Sequence, residues 1–181
     1  MTEEGERLYE RLLVLRCQTG NEDAYRELVG RFGPRLRYYL AKLLARPAQI
    51  DDLAQEVWLE VLRQLPRLKD VGAFTTWFYR IAHGKVMLDA RRNGRMLATT
   101  PDVESIAEKQ ETTFSPDDAA RIHAALDQLE PNHREVLVLK FLEGLSYEDL
   151  SQIVGCPIGT VRSRIHYAKA ALQRQLEPDQ D

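Results

Sequence analysis

The chain has 181 residues, a length that holds one long domain or two short ones and excludes a large multidomain machine. Apolar residues make up 44% and charged residues 29%, with 10 Gly and 8 Pro, which is the composition of a packed globular protein rather than a collagenous or disordered chain. Lys and Arg number 25 against 28 Asp and Glu, so the net charge of -3 carries no whole-chain sign of nucleic-acid binding and the local distribution must decide.

No stretch alternates with the period of a strand, and several place apolar residues three and four apart, so the expected fold class is all-α. A first helix is expected over residues 6–17, ending near Gly20. Asn21 caps a second, with Glu22 and Asp23 in its first turn at the positive end of the helix dipole. That helix runs toward Leu44 with a bend expected at Gly33-Pro34, because proline lacks the amide and crowds the preceding turn. Asp51 and Asp52 start a third helix that Pro66 stops after Leu65, and a fourth begins near Ala73 and runs through Arg91-Arg92. From Gly94 to Phe114 the apolar periodicity fades and Asp102, Glu104, Glu108 and Glu111 face only Lys109 within residues 96–114, the pattern of a flexible acidic linker. Ser115-Pro116-Asp117-Asp118 then supplies a cap, a proline at the first helical position and two acids. Four short helices are expected after it, over 116–128, 132–142, 146–154 and 158–176. The expected organisation is therefore two small helical domains, 1–95 and 116–178, joined by a linker at 96–115.

Within the second block, Ser146 with Asp149 three residues on makes a capping-box start, and Gly155 is the left-handed residue that ends a short helix. Pro157 opens a second helix on which Val161, Ile165, Ala168 and Leu172 form one core stripe. The other side presents Thr160, Arg162, Ser163, His166 and Lys169, with Arg164 on the flank. Residues 161–174 carry Arg162, Arg164, Lys169 and Arg174 and no acid, a local charge of +4. A helix-turn-helix of this kind puts donors from the start of its second helix against base edges in the major groove while neighbouring cations hold phosphates.

The fourth helix is the other unusual window. At about 100° per residue Phe74, Trp77, Phe78, Ile81 and Leu88 share a core face, with Trp77 at its edge. The other face is expected to show Thr76, Tyr79, Arg80, His83 and Arg91, which mixes hydroxyl, ring and cation as a single-strand-binding surface does. Residues 80–95 hold five cations, Arg80, Lys85, Arg91, Arg92 and Arg95, against Asp89 alone. Lys85 falls on the apolar side of this wheel, so either its ammonium reaches water past the core or it faces a partner.

Cys17 and Cys156 lie far apart with no CxxC or Cys/His spacing, so neither a structural zinc nor a disulfide framework is expected, and no cofactor is implied. The acidic start Met1-Thr2-Glu3-Glu4 does not read as a signal peptide, and no apolar run approaches the about 18 residues of a membrane span, so a cytoplasmic protein without membrane insertion is expected.

Four ordered stretches carry a resemblance: Asp52-Leu53-Ala54-Gln55-Glu56-Val57-Trp58; Phe74 through Ala82; Arg134-Glu135-Val136-Leu137; and Glu143-Gly144-Leu145-Ser146-Tyr147-Glu148 through Arg164. Over nearly its whole length the chain resembles a bacterial RNA polymerase sigma factor of the two-domain extracytoplasmic-function group, with the first block as region 2 and the second as region 4. The resemblance implies that Asp51, Asp52, Gln55, Glu56, Trp58 and Leu59 dock on the clamp helices of the largest subunit of core RNA polymerase. Independently of it, Asp52, Gln55, Glu56 and Leu59 recur at three- and four-residue steps and share one face. The resemblance further implies that the loop 66–72 and the helix after it open the minus-ten element of promoter DNA and capture a flipped base, through Lys69, Thr76, Trp77, Tyr79, Arg80, His83, Arg91 and Arg92. Region 4 would read the minus-thirty-five element through Thr160, Arg162, Ser163, Arg164, His166, Tyr167 and Lys169, and the linker would thread the RNA channel. An anti-sigma factor is an implied partner. The chain departs from the family pattern at Gly84, where Asn is common, at Leu88, where an acid is common, and at Tyr167, where many members carry Arg.

Two other function classes compete. A dimeric helix-turn-helix regulator would bind duplex operator through residues 146–174 without acting as a polymerase subunit, yet it gives the Asp-Leu-Ala-Gln-Glu run no role and shows no dimerisation helix. A hydrolase or nuclease would have to use His83, Asp89 or Glu148-Asp149, and no HxxxH, HD, GxSxG or phosphate-loop motif supports it.

Overall fold

The structure is a computed structural model and describes residues 3–44, 46–93 and 119–176. The segment expected as a linker, with Arg95 and the cap at 115–118, lies outside the described residues. Every regular element among the described residues is helical, in agreement with the expected fold class. The chain divides into two compact units, Met1–Asn93 and Gly94–Asp181.

In the first unit, α1 (Glu3–Gln18) is turned back by Gly20, whose φ of +81° suits a residue without a side chain. Asn21 caps α2 (Glu22–Leu43) by accepting from the Ala24 amide at 2.8 Å. The helix continues through Pro34 as one element, with Ala24, Leu28, Phe32, Leu36 and Leu40 buried at steps of four. A 3-10 turn at Pro47–Gln49 leads to α3 (Ile50–Gln64), which buries Leu53, Ala54, Val57 and Val61. Pro66 lies in a second 3-10 turn, Leu65–Arg67, and a third, Val71–Ala73, precedes α4 (Phe74–Arg92).

The core of this unit is a cluster of rings from three helices. Phe32 of α2 meets Phe74 and Phe78 of α4 edge-on, at centroid separations of 5.1 and 5.3 Å, and Trp58 of α3 lies 5.1 Å from Phe78. Such offset and edge-on pairs add about 0.5–1.5 kcal/mol each beyond their area burial, and truncating a fully buried Phe costs about 3–5 kcal/mol. The Tyr25 hydroxyl donates to the Trp58 carbonyl at 3.1 Å, tying α2 to α3, and burial pushes this phenol up to about 12.

In the second unit, α5 (Ala119–Asp127) is finished by Arg134 of α6 (Pro131–Glu143), whose guanidinium donates to the Asp127 and Leu129 carbonyls at 2.9 and 2.7 Å. The Arg134-Glu135-Val136-Leu137 motif thus closes one helix and begins the buried run of the next. Gly144 at φ +63° ends α6 and Gly155 at φ +66° ends α7 (Tyr147–Val154). The capping box is present in both directions: the Asp149 amide donates to Ser146 Oγ at 3.1 Å and the Ser146 amide to Asp149 Oδ2 at 3.2 Å. Helix α8 (Ile158–Leu176) buries Val161, Ile165, Ala168 and Leu172, the stripe expected from their spacing.

Candidate nucleic-acid interface

Because α7 and α8 pack through apolar stripes on one side, the polar side of α8 is left outward. Arg162 and His166 are exposed, Tyr167 keeps 42% of its surface accessible, and Thr160, Arg164 and Lys169 are half-buried. Ser163 is a correction. It is 4% exposed, and its hydroxyl donates to the Gly159 carbonyl at 3.1 Å, so it satisfies the helix backbone rather than facing outward. Its position between Val161 and Ile165 puts it at the margin of the buried stripe, which the helical wheel drew too narrow.

Tyr167, expected here, is joined by rings that the sequence did not single out, Tyr147, His133 and Phe141. Tyr147, at the start of α7, has the Lys140 ammonium 4.9 Å and the Arg162 guanidinium 5.7 Å from its ring centroid, both within the range of cation–π attraction. The Lys140 ammonium also donates to the Leu145 carbonyl at 2.9 Å. Tyr167 stands between His133 of α6, at 6.5 Å in a stacked arrangement, and His166, at 5.5 Å edge-on. Lys169 lies 5.8 Å over exposed Phe141. No spacing in the sequence foretells these contacts, because pairing across α6, α7 and α8 is a tertiary fact.

In the first unit the expected face of α4 is corrected in part. Arg80, Arg91 and Arg92 are exposed, Lys69 stands exposed on the preceding loop, and His83 is half-buried. Thr76, Trp77 and Tyr79 are buried instead, Tyr79 completely, with its ring 5.3 Å from Tyr39 of α2. The first two turns of α4 are gripped from two sides, by α2 and by α3, so a wheel with one core face fails there. Farther along, burial follows Phe78, Ala82, Val86 and Ala90 at steps of four, leaving Ile81 half-buried and Leu88 exposed, where the wheel had put both in the core. Alanines carry that seam, and small residues allow close approach without registering as a hydrophobic stripe.

Lys85 also finds its explanation: its ammonium lies 3.5 Å from Glu56 of α3, in the α3–α4 seam. Glu56 is accordingly half-buried and paired, while Asp52 and Gln55 are exposed, Leu59 is 67% exposed and Leu62, not singled out before, is 54% exposed. Asp51 pairs with Arg37 of α2. Trp58 turns inward, edge-on to Tyr25 and against Phe78, so its ring supports α3 from behind more than it lies on the outer face. Glu60 is held below the usual carboxylate range by hydrogen bonds from Arg63 and Gln64. The outward side of α3 is thus an apolar pair, Leu59 and Leu62, bordered by Asp52 and Gln55, a composition suited to protein docking.

None of the described residues forms a His/Cys/Asp/Glu group able to hold a metal ion, and no described helix is long and apolar enough to cross a membrane. The sigma-70 region 2 family matches residues 28–96, and the sigma-70 region 4 family matches residues 119–172. The RNA polymerase sigma-H factor of Pseudomonas aeruginosa is 32% identical over 92% of this chain and 93% of its own length. The ECF RNA polymerase sigma-E factor of Escherichia coli K12 is 30% identical over 96% of this chain and 97% of its own. Among solved structures, CnrH in complex with the cytosolic domain of CnrY matches with a TM-score of 0.66 at 26% identity, covering 94% of this chain and 98% of that one. The sigma factor RpoE in complex with the anti-sigma factor NepR from Bartonella quintana shares the fold, with a TM-score of 0.65 at 24% identity over 86% of this chain and 98% of that one. With a region 2 bundle, a region 4 helix-turn-helix and full-length relatives of one kind, the chain belongs to the sigma-70 family, in its extracytoplasmic-function group.

Proposed function

We propose that this protein is a promoter-specificity subunit that binds core RNA polymerase in the cytoplasm, directs it to promoters and helps melt them, with no covalent chemistry of its own. In this reading region 2 spans 1–95, region 4 spans 116–178 and 96–115 lie between them, bounds supported by family matches that fall within or close to them, over 28–96 and 119–172. The observation that carries this reading is the pairing, in one chain, of an outward docking face at Asp52, Gln55, Leu59 and Leu62 with a helix-turn-helix whose second helix exposes Arg162, His166 and Tyr167. A stand-alone operator-binding regulator uses the second and leaves the first idle.

In this reading α3 docks on the clamp helices of the largest subunit, with Glu56 bridging to Lys85 to hold α4 against it. Lys69, Arg80, Arg91 and Arg92 track the non-template strand of the minus-ten element, while Trp77 at the margin of the core supports the start of α4 and Thr76 and Tyr79 brace α4 from within. Unstacking a base costs a few kcal/mol, which stacking and phosphate contacts offset. Region 4 lays α8 in the major groove of the minus-thirty-five element, with Thr160, Arg162, Arg164, His166, Tyr167 and Lys169 toward DNA and Ser163 shaping the helix. The complex of a structural neighbour with the anti-sigma factor NepR, and that of CnrH with the cytosolic domain of CnrY, support a protein partner for this chain as well, an anti-sigma factor. Transcription by core polymerase on genomic fragments, with and without the protein, tests the reading: new start sites are expected only in its presence, and an unchanged set of starts would reject it.

A further inference from the structure

The segment between α3 and α4 is tied down by α1, an element with no part in the interfaces above. Gln18, the last residue of α1, uses its side-chain amide to donate to two loop carbonyls, Leu65 at 3.0 Å and Leu68 at 2.7 Å. An amide nitrogen has two protons, and both are committed to this segment. Arg11, seven residues earlier and so on the same side of α1, flanks the other end of the loop: a Cβ on Gly72 would lie 3.2 Å from its Nη2 and 3.3 Å from its Nε. Asp70 holds that end internally, its carboxylate accepting from the Gly72 amide at 2.8 Å. Between these anchors Pro66, Arg67, Lys69 and Asp70 are exposed.

We propose that Gln18, assisted by Arg11, is a positioning residue for promoter opening: it pre-forms the 65–73 loop from beneath so that the loop captures an unpaired base of the non-template strand without first having to be ordered. The inference rests on the reading of this loop as the minus-ten capture element. Its physical basis is pre-organisation. A loop fixed before binding does not lose its conformational freedom during binding, so the ordering cost is absent from the measured affinity. Two ordinary hydrogen bonds removed together correspond to about a tenfold loss in the capture equilibrium. A residue that only stabilised the bundle would affect folding and every ligand alike. Gln18 instead touches backbone carbonyls of the loop, which makes its effect specific to what the loop binds.

The test uses the full chain assembled with core polymerase and single-stranded non-template oligonucleotides spanning the minus-ten element of a promoter whose start has been mapped with this protein. Each oligonucleotide of the set carries one abasic site. Gln18→Met keeps length and helix preference but has no donor. It is expected to bind the intact oligonucleotide about tenfold more weakly than wild type, with co-purification with core polymerase unchanged and the thermal unfolding midpoint lowered by no more than the several degrees that two hydrogen bonds represent. At one abasic position wild type and variant should bind equally, because no base is left to capture. Asp70→Ala, which cuts the loop's own cap, is expected to act in the same direction and to converge with wild type at the same position. Equal binding of the intact oligonucleotide by Gln18→Met and wild type overturns the positioning role alone, as does an equal loss across every abasic oligonucleotide. If the wild-type holoenzyme shows no preference for the single strand over duplex, the underlying reading of the loop falls, and this inference with it.

Discussion

Tyr147 gives the sharpest account of how region 4 fixes Arg162, a side chain proposed to contact DNA. Its ring has Arg162 at 5.7 Å and Lys140 at 4.9 Å, so one aromatic ring links α6, α7 and α8 through cations. At an exposed site each contact is worth about 0.5–1 kcal/mol. Lys140 retains its bond to the Leu145 carbonyl without the ring, so its share falls on the stability of the unit. The Arg162 share falls on DNA binding, because a guanidinium released from the ring must lose rotamer freedom when it meets DNA. Tyr147→Leu is therefore expected to weaken binding of a duplex minus-thirty-five fragment by about two- to fivefold, the equivalent of about 0.5–1 kcal/mol. Tyr147→Phe loses the hydroxyl as Leu does but keeps the ring, so the difference between the two variants isolates the ring. Fluorescence anisotropy across a salt series provides the measurement. The slope of log affinity against log salt should be the same in both variants, since no phosphate-neutralising charge is removed. Equal affinities for the Phe and Leu variants, or a flattened slope in the Leu variant alone, would refute the reasoning.

Three further outcomes follow from the geometry. A Cβ at Gly84 would meet no atom within 4 Å, so Gly84→Ala in the middle of α4 should stabilise the first unit by about 0.5–1 kcal/mol in urea unfolding, and a loss of stability would contradict the open position. The raised Tyr25 phenol keeps its proton in the folded state after the unfolded chain has released it, so stability is present below about pH 10 and falls as pH rises toward about 12; Tyr25→Phe should flatten that fall, and an unchanged slope would exclude Tyr25 as its source. Leu59 is 67% exposed, so Leu59→Ala should change unfolding by less than about 0.5 kcal/mol while reducing co-purification with core polymerase, and retained co-purification would exclude it from the docking face.

Local signals in the sequence were the reliable ones. Asn21, the Ser146/Asp149 box, Gly155 and the Val161-Ile165-Ala168-Leu172 stripe depend on neighbours within a turn or two, and each stands in the structure as expected. The errors arose where a second neighbour intervened. Tyr79 reads as an exposed ring only until α2 brings Tyr39 against it, and Lys85 is unexplained until α3 presents Glu56. Leu88 reads as core because large residues weigh most on a wheel, whereas the seam runs along Ala82, Val86 and Ala90. Ser163 follows the same logic, since a hydroxyl that bonds its own helix is polar in the sequence and buried in the fold. Gln18 carried no legible signal at all, because its partners lie 47 and 50 residues away.

The central claim is that two helical units engage separate stretches of one promoter while a polymerase carries them. Footprinting the holoenzyme on a mapped promoter, with a reagent for unpaired thymines on the same fragment, examines it most directly. Protection of an upstream duplex element should accompany reactive thymines in a downstream one, with both lost when either core polymerase or this protein is omitted. A two-fold symmetric footprint made by the protein alone, with every base still paired, would contradict the claim.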